Sequence, residues 1–320
     1  MATSVVLDLA SQPRIERQDF EELVEQGVFG AWLEQARAMR EKGFCVLRIE
    51  GREFQETCRT LKAGLSRTLG QEIAAWHRGE AGPPRLQDGW LQDAAIRRLC
   101  LLPQVLELLT CLYGRRPIPF QSLNFAIGSQ QPVHSDAVHF NSYPLGFMCG
   151  VWIALEDVQR DSGPLMYYPT SHLQGYLSAE DLRLSPDQVK AEQHPQRFFQ
   201  EYWHQAIDQW NLEKELFHPQ CGEILVWHAN LLHGGEAVLN RGLSRWSQVN
   251  HYYFEDCLYT TPIQSFAEFQ GGPTLRNPYN IHTRRRVFSE SQWRNLGIQQ
   301  PADRSASSPG SESATADYLP

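Results

Sequence analysis

No Cys-x-x-Cys pair occurs in this 320-residue chain. Its seven cysteines, Cys45, Cys58, Cys100, Cys111, Cys149, Cys221 and Cys257, are scattered, which excludes a zinc knuckle and a thioredoxin-like motif. Scattered thiols in odd number fit small hydrophobes in a reducing compartment, and a cytoplasmic protein is expected. A basic leader is missing too: Asp8 interrupts the apolar run near the N-terminus, which argues against a secretory signal. No apolar stretch approaches the roughly 18 residues needed to cross a bilayer, so no membrane span is expected. Positive charge is in deficit, with 29 Lys and Arg against 37 Asp and Glu for a formal charge of −8. A general nucleic-acid or anionic-membrane binder carries the opposite field. The one dense basic cluster, Arg284-Arg285-Arg286, reads as a solvated loop or an anion contact rather than a nucleic-acid footprint. Internal repeats are absent as well. A hydrophobic share of 42% is nonetheless ample for a sizeable core.

Helical signals come first. Residues 14–42 read as one helix through Phe20, Leu23, Val24, Val28, Trp32, Leu33 and Ala36, weakened by Gly27 and Gly30. Gly43 ends it, and residues 44–49 read as a buried strand. Further helices are expected over about 53–69 and 93–113, the latter kinked or split at Pro103, with a loop over 79–89. From Pro117 the pattern turns to β, with strands expected at 118–127, 147–155, 165–168, 223–227 and 246–254. Residues 174–219 interrupt this run as a helical insertion. Ser185-Pro186 looks like an N-cap followed by proline at the first helical position. Phe199, Tyr202, Trp203, Ala206 and Trp210 keep helical spacing. The insertion reads either as a helix packed on the barrel or as a lid over a site. Residues 299–320 are Ser-, Ala- and Pro-rich and read as a disordered tail after a single 1–298 domain. Helices followed by many short strands argue for an α+β domain on a closed or sandwiched antiparallel sheet.

The chemistry starts at Val133-His134-Ser135-Asp136. In an extended segment His134 and Asp136 project to the same side, supplying two members of a 2-His-1-carboxylate triad. Such a spacing arises by chance in about half of chains of this composition, so the remaining residues carry the case. His233, directly after a strand and before Gly234-Gly235, is the third candidate, the glycines letting the backbone pass close to a metal. Arg245 and Ser247 share a strand face and offer one carboxylate a guanidinium fork plus a hydroxyl; Arg241 is the alternative cation.

In that order these residues resemble the phytanoyl-CoA dioxygenase family of Fe(II)/2-oxoglutarate-dependent oxygenases. The likeness spans about residues 40–255. It runs through His134-Ser135-Asp136, Val151-Trp152-Ile153-Ala154-Leu155-Glu156-Asp157-Val158, Ser162-Gly163-Pro164-Leu165, Cys221-Gly222-Glu223-Ile224-Leu225-Val226-Trp227-His228 and Leu232-His233-Gly234-Gly235 to Arg245. A Pro169-Thr170-Ser171-His172 turn stands where the family has Pro-Gly-Ser-His. The resemblance implies a double-stranded β-helix (jelly-roll, cupin-like) core over about 40–260 with flanking N-terminal helices. It also implies Fe(II) on His134, Asp136 and His233, with 2-oxoglutarate and O2 taking the open positions. The far carboxylate of 2-oxoglutarate would lie on Arg245 and Ser247, with Asn124 and Gln121 as further co-substrate contacts. Succinate, CO2 and an oxidised substrate would result. Asp136 stands where related halogenases have a small residue, so hydroxylation or a related oxidation is favoured over halogenation.

Four residues are candidates for the substrate: His139, Asn141 and Tyr143, just past the motif, and Trp152 as pocket wall. His172 and His228 read as structural. The leading expectation is hydroxylation of a small molecule. Desaturation, cyclisation or epimerisation on the same scaffold, or a non-catalytic cupin-like binding module, are the alternatives. No nucleic-acid partner is expected, and oligomeric state is not legible.

Overall fold

The computed structural model describes residues 11–192, 196–264 and 274–297; the tail expected at 299–320 and the outer limits of the 1–298 unit lie outside them. Six helices precede or flank the first strands: α1 (Phe20–Glu25), α2 (Leu33–Lys42), α3 (Arg52–Thr68), α4 (Gly70–Arg78), α5 (Ala94–Leu99) and α6 (Pro103–Tyr113). The single helix expected over 14–42 is broken. Gly27 and Gly30 adopt φ of +71° and +49°, a conformation that a right-handed helix excludes, so α1 and α2 are separated by turns. The stretch over 93–113 divides at Pro103, which sits in the first turn of α6, where its missing N–H costs nothing. Asp93 caps α5 by accepting the Ala95 N–H.

The strands are β1 (Phe44–Arg48), β2 (Arg85–Gln87), β3 (Pro117–Phe125), β4 (Asn141–Tyr143), β5 (Met148–Ala154) and β6 (Leu165–Tyr167). After the insertion come β7 (Glu215–Phe217), β8 (Glu223–His228), β9 (His233–Gly235), β10 (Ser247–Phe254), β11 (Leu258–Thr260) and β12 (Leu275–Arg276). The segment read as a loop over 79–89 thus contains β2. A major antiparallel sheet runs β1-β8-β5-β10-β3-β2. Facing it is a smaller sheet, β7-β6-β9, extended by a bridge between His233 and His134. Phe125, Trp152, Leu165, Tyr167, Leu225, Trp227 and Val249 fill the space between, giving the jelly-roll core. The other face of the major sheet packs on the helices through a larger cluster that includes Leu61, Leu108, Val151, Val226 and Tyr252. A third small sheet, β12-β11-β4, stands near the motif.

The insertion carries α7 (Pro186–Ala191), opened by a Ser185 capping box, and α8 (Gln196–Gln209). Phe199, Trp203 and Ala206 of α8 are buried. Phe199 and Trp203 share a cluster with Val133, Val138 and Leu232, chain neighbours of His134 and His233. The apolar face of α8 therefore packs against the segments that carry the motif.

Thr170 takes φ +68°, a left-handed conformation costly for a β-branched side chain. Glycine avoids that clash. Thr170→Gly is expected to stabilise the protein by about 1 kcal/mol, net of the backbone entropy glycine adds to the unfolded chain. A urea titration at constant slope checks it, and an unchanged or lowered midpoint would contradict it.

Candidate metal centre and co-substrate pocket

The central strand β10 sorts the site. It is buried along its whole length between β3 and β5, and alternation divides its side chains between two faces. Gln248, Asn250 and Tyr252 turn to the helices, donating hydrogen bonds to the carbonyls of Ile96, Leu99 and Cys100. The opposite parity, Arg245, Ser247, Val249 and His251, faces the barrel interior, where Val249 packs with Trp152 and Trp227.

At the His251 end, ligand atoms of His134, Asp136 and His233 all lie within 4.8 Å of one another, each residue buried. Ser135 is extended, so its two neighbours project together; immediately afterwards the chain turns into a 3-10 helix at Asp136–Val138. The Ser135 hydroxyl fixes that turn, accepting the Ala137 N–H and donating to the Ala229 carbonyl. Backbone pairing of His134 with His233 brings the two imidazoles together, ring centres 4.4 Å apart. Each Nδ1 lies against a carbonyl, Pro132 at 2.8 Å and Leu231 at 2.9 Å. A carbonyl only accepts, so Nδ1 carries the proton and Nε2 presents its lone pair inward, the tautomer a metal requires. Burial, then the neighbouring His134, push the His233 imidazole down to about 4, so it is neutral at physiological pH. Gly234 and Gly235 serve a different purpose from the one expected. A Cβ on Gly234 would meet the Gln131 carbonyl at 2.7 Å, so these glycines let β9 pass close to residues 129–132.

Two residues the sequence reading did not assign to the metal site hold the carboxylate. Trp227 donates its indole N–H to Asp136 Oδ2 at 2.9 Å, and His251 Nε2 lies 3.3 Å from the same oxygen. Gln121 Oε1 braces His251 from the other side, 2.9 Å from Nδ1. Burial opposes ionisation of Asp136, but the electrostatic interaction and hydrogen bond with His251 outweigh it and hold the carboxyl far below the usual range. With Oδ2 engaged twice, Oδ1 is the oxygen left for a metal. Trp227 reaches this position because β5 has Gly150 beneath it, where an added Cβ would lie 2.1 Å from the indole. Gly150→Ala is expected to displace the indole, destabilise the fold by about 1–3 kcal/mol and weaken metal binding by about tenfold or more. Urea unfolding and a Co(II) titration check this; unchanged metal affinity would show that Trp227 does not support the ligand.

Comparison with known proteins agrees with this geometry. The model of the phytanoyl-CoA dioxygenase (PhyH) family matches residues 39–246. The chain belongs to the phytanoyl-CoA dioxygenase family. The rat peroxisomal phytanoyl-CoA dioxygenase is 24% identical over 249 residues, covering 71% of this chain and 70% of that protein. Zebrafish phytanoyl-CoA dioxygenase domain-containing protein 1 is 34% identical over 87 residues, 26% of this chain and 30% of its own. Among solved structures, the non-haem α-ketoglutarate-dependent carbocyclase SnoK of nogalamycin biosynthesis superposes with a TM-score of 0.55 at 18% identity, covering 82% of this chain and 96% of its own. The epimerase SnoN, in complex with Fe3+ and α-ketoglutarate, gives 0.55 at 19% identity over 81% and 96%. These likenesses show the fold, a helical layer on a jelly-roll. With the intact triad, family membership identifies an Fe(II)/2-oxoglutarate-type oxygenase.

One expectation is overturned. The rat, human and mouse relatives are named as peroxisomal, which contradicts the cytoplasmic assignment. Free thiols, the ground of that assignment, persist in any reducing compartment and do not single out the cytosol. Among the described residues no helix is long and apolar enough to cross a membrane.

The opposite end of the interior holds Arg245. It is only 1% exposed, lies between the rings of Trp152 and Phe125 at 5.5 and 5.8 Å, and its Nε has no hydrogen-bond partner. The fully buried Ser247 hydroxyl is unpartnered too. Burial pushes the guanidinium down to about 10, so it stays charged at neutral pH. A buried cation paired with no carboxylate among the described residues is costly unless an anion joins it. These orphaned donors fit a ligand carboxylate. Arg241, the alternative, lies elsewhere, stacked on Trp76 at 3.7 Å and bonded to its carbonyl.

The other candidates separate by strand parity. Gln121 faces the interior but is engaged by His251. Asn124 pairs with Gln248 at 3.0 Å on the helix-facing side, away from Arg245. Trp152 is buried beside Arg245, at the end of the interior away from the triad. Asn141 Oδ1 accepts the N–H groups of Ser142 and Gly146 and so shapes a turn. Tyr143 is 40% exposed. His139 alone of the three stands near the triad; burial, then His134, push its imidazole down to about 4. His172 and His228 are structural as expected, bonded to the Arg40 carbonyl and to Glu16.

Proposed function

We propose that this oxygenase binds Fe(II) through Nε2 of His134, Nε2 of His233 and Oδ1 of Asp136, and 2-oxoglutarate through Arg245 and Ser247, to oxidise a small organic molecule. The observation that carries the reading is a buried triad together with a buried guanidinium that, among the described residues, has no carboxylate partner and an unpartnered Nε. A facial triad leaves one side of the metal open, and iron with 2-oxoglutarate and O2 supplies hydrogen removal from an unactivated C–H bond. The residues of the chain do the rest. Trp227 and His251 keep Asp136 in one orientation. Arg245 supplies the charge that aligns the co-substrate, and Ser247 adds a neutral donor. The rings of Phe125, Trp152 and Trp227 exclude water from the space between.

After hydrogen removal, the outcome best supported is ring closure, desaturation or epimerisation of a small molecule. The carbocyclase and the epimerase cover more of this chain than the iron-bound structure of EctD from S. alaskensis, which gives a TM-score of 0.50 over 69% of it. Hydroxylation is the second reading, and the intact Asp136 fits either reading rather than halogenation. Mass spectrometry of a metabolite extract incubated with enzyme, Fe(II), 2-oxoglutarate and air separates them. The first reading expects a product that has lost two hydrogens or kept its mass; hydroxylation expects a gain of one oxygen. Succinate that never exceeds a heat-denatured control would overturn both.

A further inference from the structure

Along β10 the interior face runs from Arg245 past the metal site at His251 and on to Tyr253. Beyond His251 the walls become aromatic. Tyr253 stacks on Phe120 at 4.0 Å and on Tyr259 at 4.3 Å. The Phe140 ring lies 5.4 Å from His251 and 5.3 Å from Phe120. One cation stands on this platform. The Arg276 guanidinium lies 4.6 Å over Phe140 and 6.0 Å from Phe120. It donates to the His139 carbonyl at 3.2 Å, and its charge reaches the Tyr253 hydroxyl. Its fixed point is a neutral carbonyl oxygen, and among the described residues no carboxylate pairs with Arg276. A guanidinium held over an aromatic ring, positioned but not neutralised, is prepared to take a planar anion through its remaining N–H groups.

We infer that Arg276 recognises a carboxylate carried by the substrate, so that the reactive carbon is placed at the metal by an acid group anchored over Phe140. The inference rests on the function proposed above, since it takes the Tyr253 end of the barrel as the side from which substrate approaches. A carboxylate suits the site better than a phosphate. Arg276 is the one described cation on this platform, so a singly charged group is balanced where a dianion is not. Phe140, the partly exposed ring of this cluster, suits an apolar or ring-bearing remainder.

The test uses a panel of alkyl and aryl carboxylic acids with their primary amides, which have nearly the same shape without the charge. Each is titrated into the full-length protein loaded anaerobically with Fe(II) and saturating 2-oxoglutarate, reading perturbation of the charge-transfer absorption. The wild type is expected to bind at least one acid about 10- to 100-fold more tightly than its amide, the range of a charge-assisted hydrogen bond. Arg276→Gln, which keeps a donor for the His139 carbonyl, is expected to remove that preference, leave amide binding unchanged and form the same absorption with 2-oxoglutarate. Arg276→Lys is expected to restore part of the preference. Equal binding of acids and amides, no acid that perturbs the absorption, or a preference that survives Arg276→Gln would each overturn the inference. Failure of the wild type to form the absorption at all would instead overturn the proposed cofactors, and this inference with them.

Discussion

Arg245→Leu is expected to stabilise the ligand-free protein and at the same time weaken 2-oxoglutarate binding by about 10²- to 10³-fold. Both effects come from one cause. The guanidinium is buried, its Nε is unpartnered, and burial already lowers its affinity for the proton. Removing an unpaired buried charge and filling its space with apolar volume recovers on the order of 1–4 kcal/mol. Leucine is shorter than arginine, and the small cavity it leaves beside Phe125 and Trp152 reduces that gain. For the co-substrate the balance reverses. Truncating one member of a desolvated charge pair costs about 2–5 kcal/mol, because the ligand carboxylate then enters without a partner. The measurement is a pair of unfolding curves with and without 2-oxoglutarate. Mass action should raise the wild-type midpoint on adding the co-substrate and leave that of Arg245→Leu unmoved. A variant less stable in the free state would show that Arg245 is a structural residue whose partner lies outside the described segments.

The second large effect falls on Asp136. Asp136→Ala is expected to lower turnover by about 10³-fold or more, because it removes one of three metal ligands and leaves the indole N–H of Trp227 without its acceptor. The fold should survive. The segment is held by backbone pairing of His134 with His233 and by the Ser135 hydroxyl, neither of which uses the carboxylate. Circular dichroism should therefore match the wild type while succinate formation is lost. Full turnover in this variant would show that the triad is misassigned.

The site was legible in the sequence to the extent that it depends on local spacing. His134 and Asp136 flank one extended residue, and Arg245 and Ser247 flank Trp246, so alternation alone places each pair on one face. His233 needed the context of its strand, and the bridge to His134 is a long-range pairing no local pattern reveals. His251 and Trp227 were missed for different reasons. His251 shares the parity of Arg245 and Ser247, so the signal was present once β10 was followed to its end. Trp227 depends on Gly150 on the neighbouring strand, a cross-strand relation that spacing does not show. Asn124 was legible as well. It stands three residues from Gln121 on one strand, so the two cannot face the same pocket. In the helical layer, Pro103 and Gly43 marked boundaries correctly, whereas Gly27 and Gly30 broke a helix they were expected only to weaken. A left-handed φ stops a helix outright, and sequence does not report φ.

The most direct test of the metal and co-substrate assignment is the visible spectrum of the protein under anaerobic conditions with Fe(II) and 2-oxoglutarate added together and singly. A broad metal-to-ligand absorption that needs both additions, is lost in Asp136→Ala, and gives way to succinate on admitting air is the expected result. An unchanged spectrum with both present, and no succinate in air, would contradict the assignment of His134, Asp136 and His233 as an iron site.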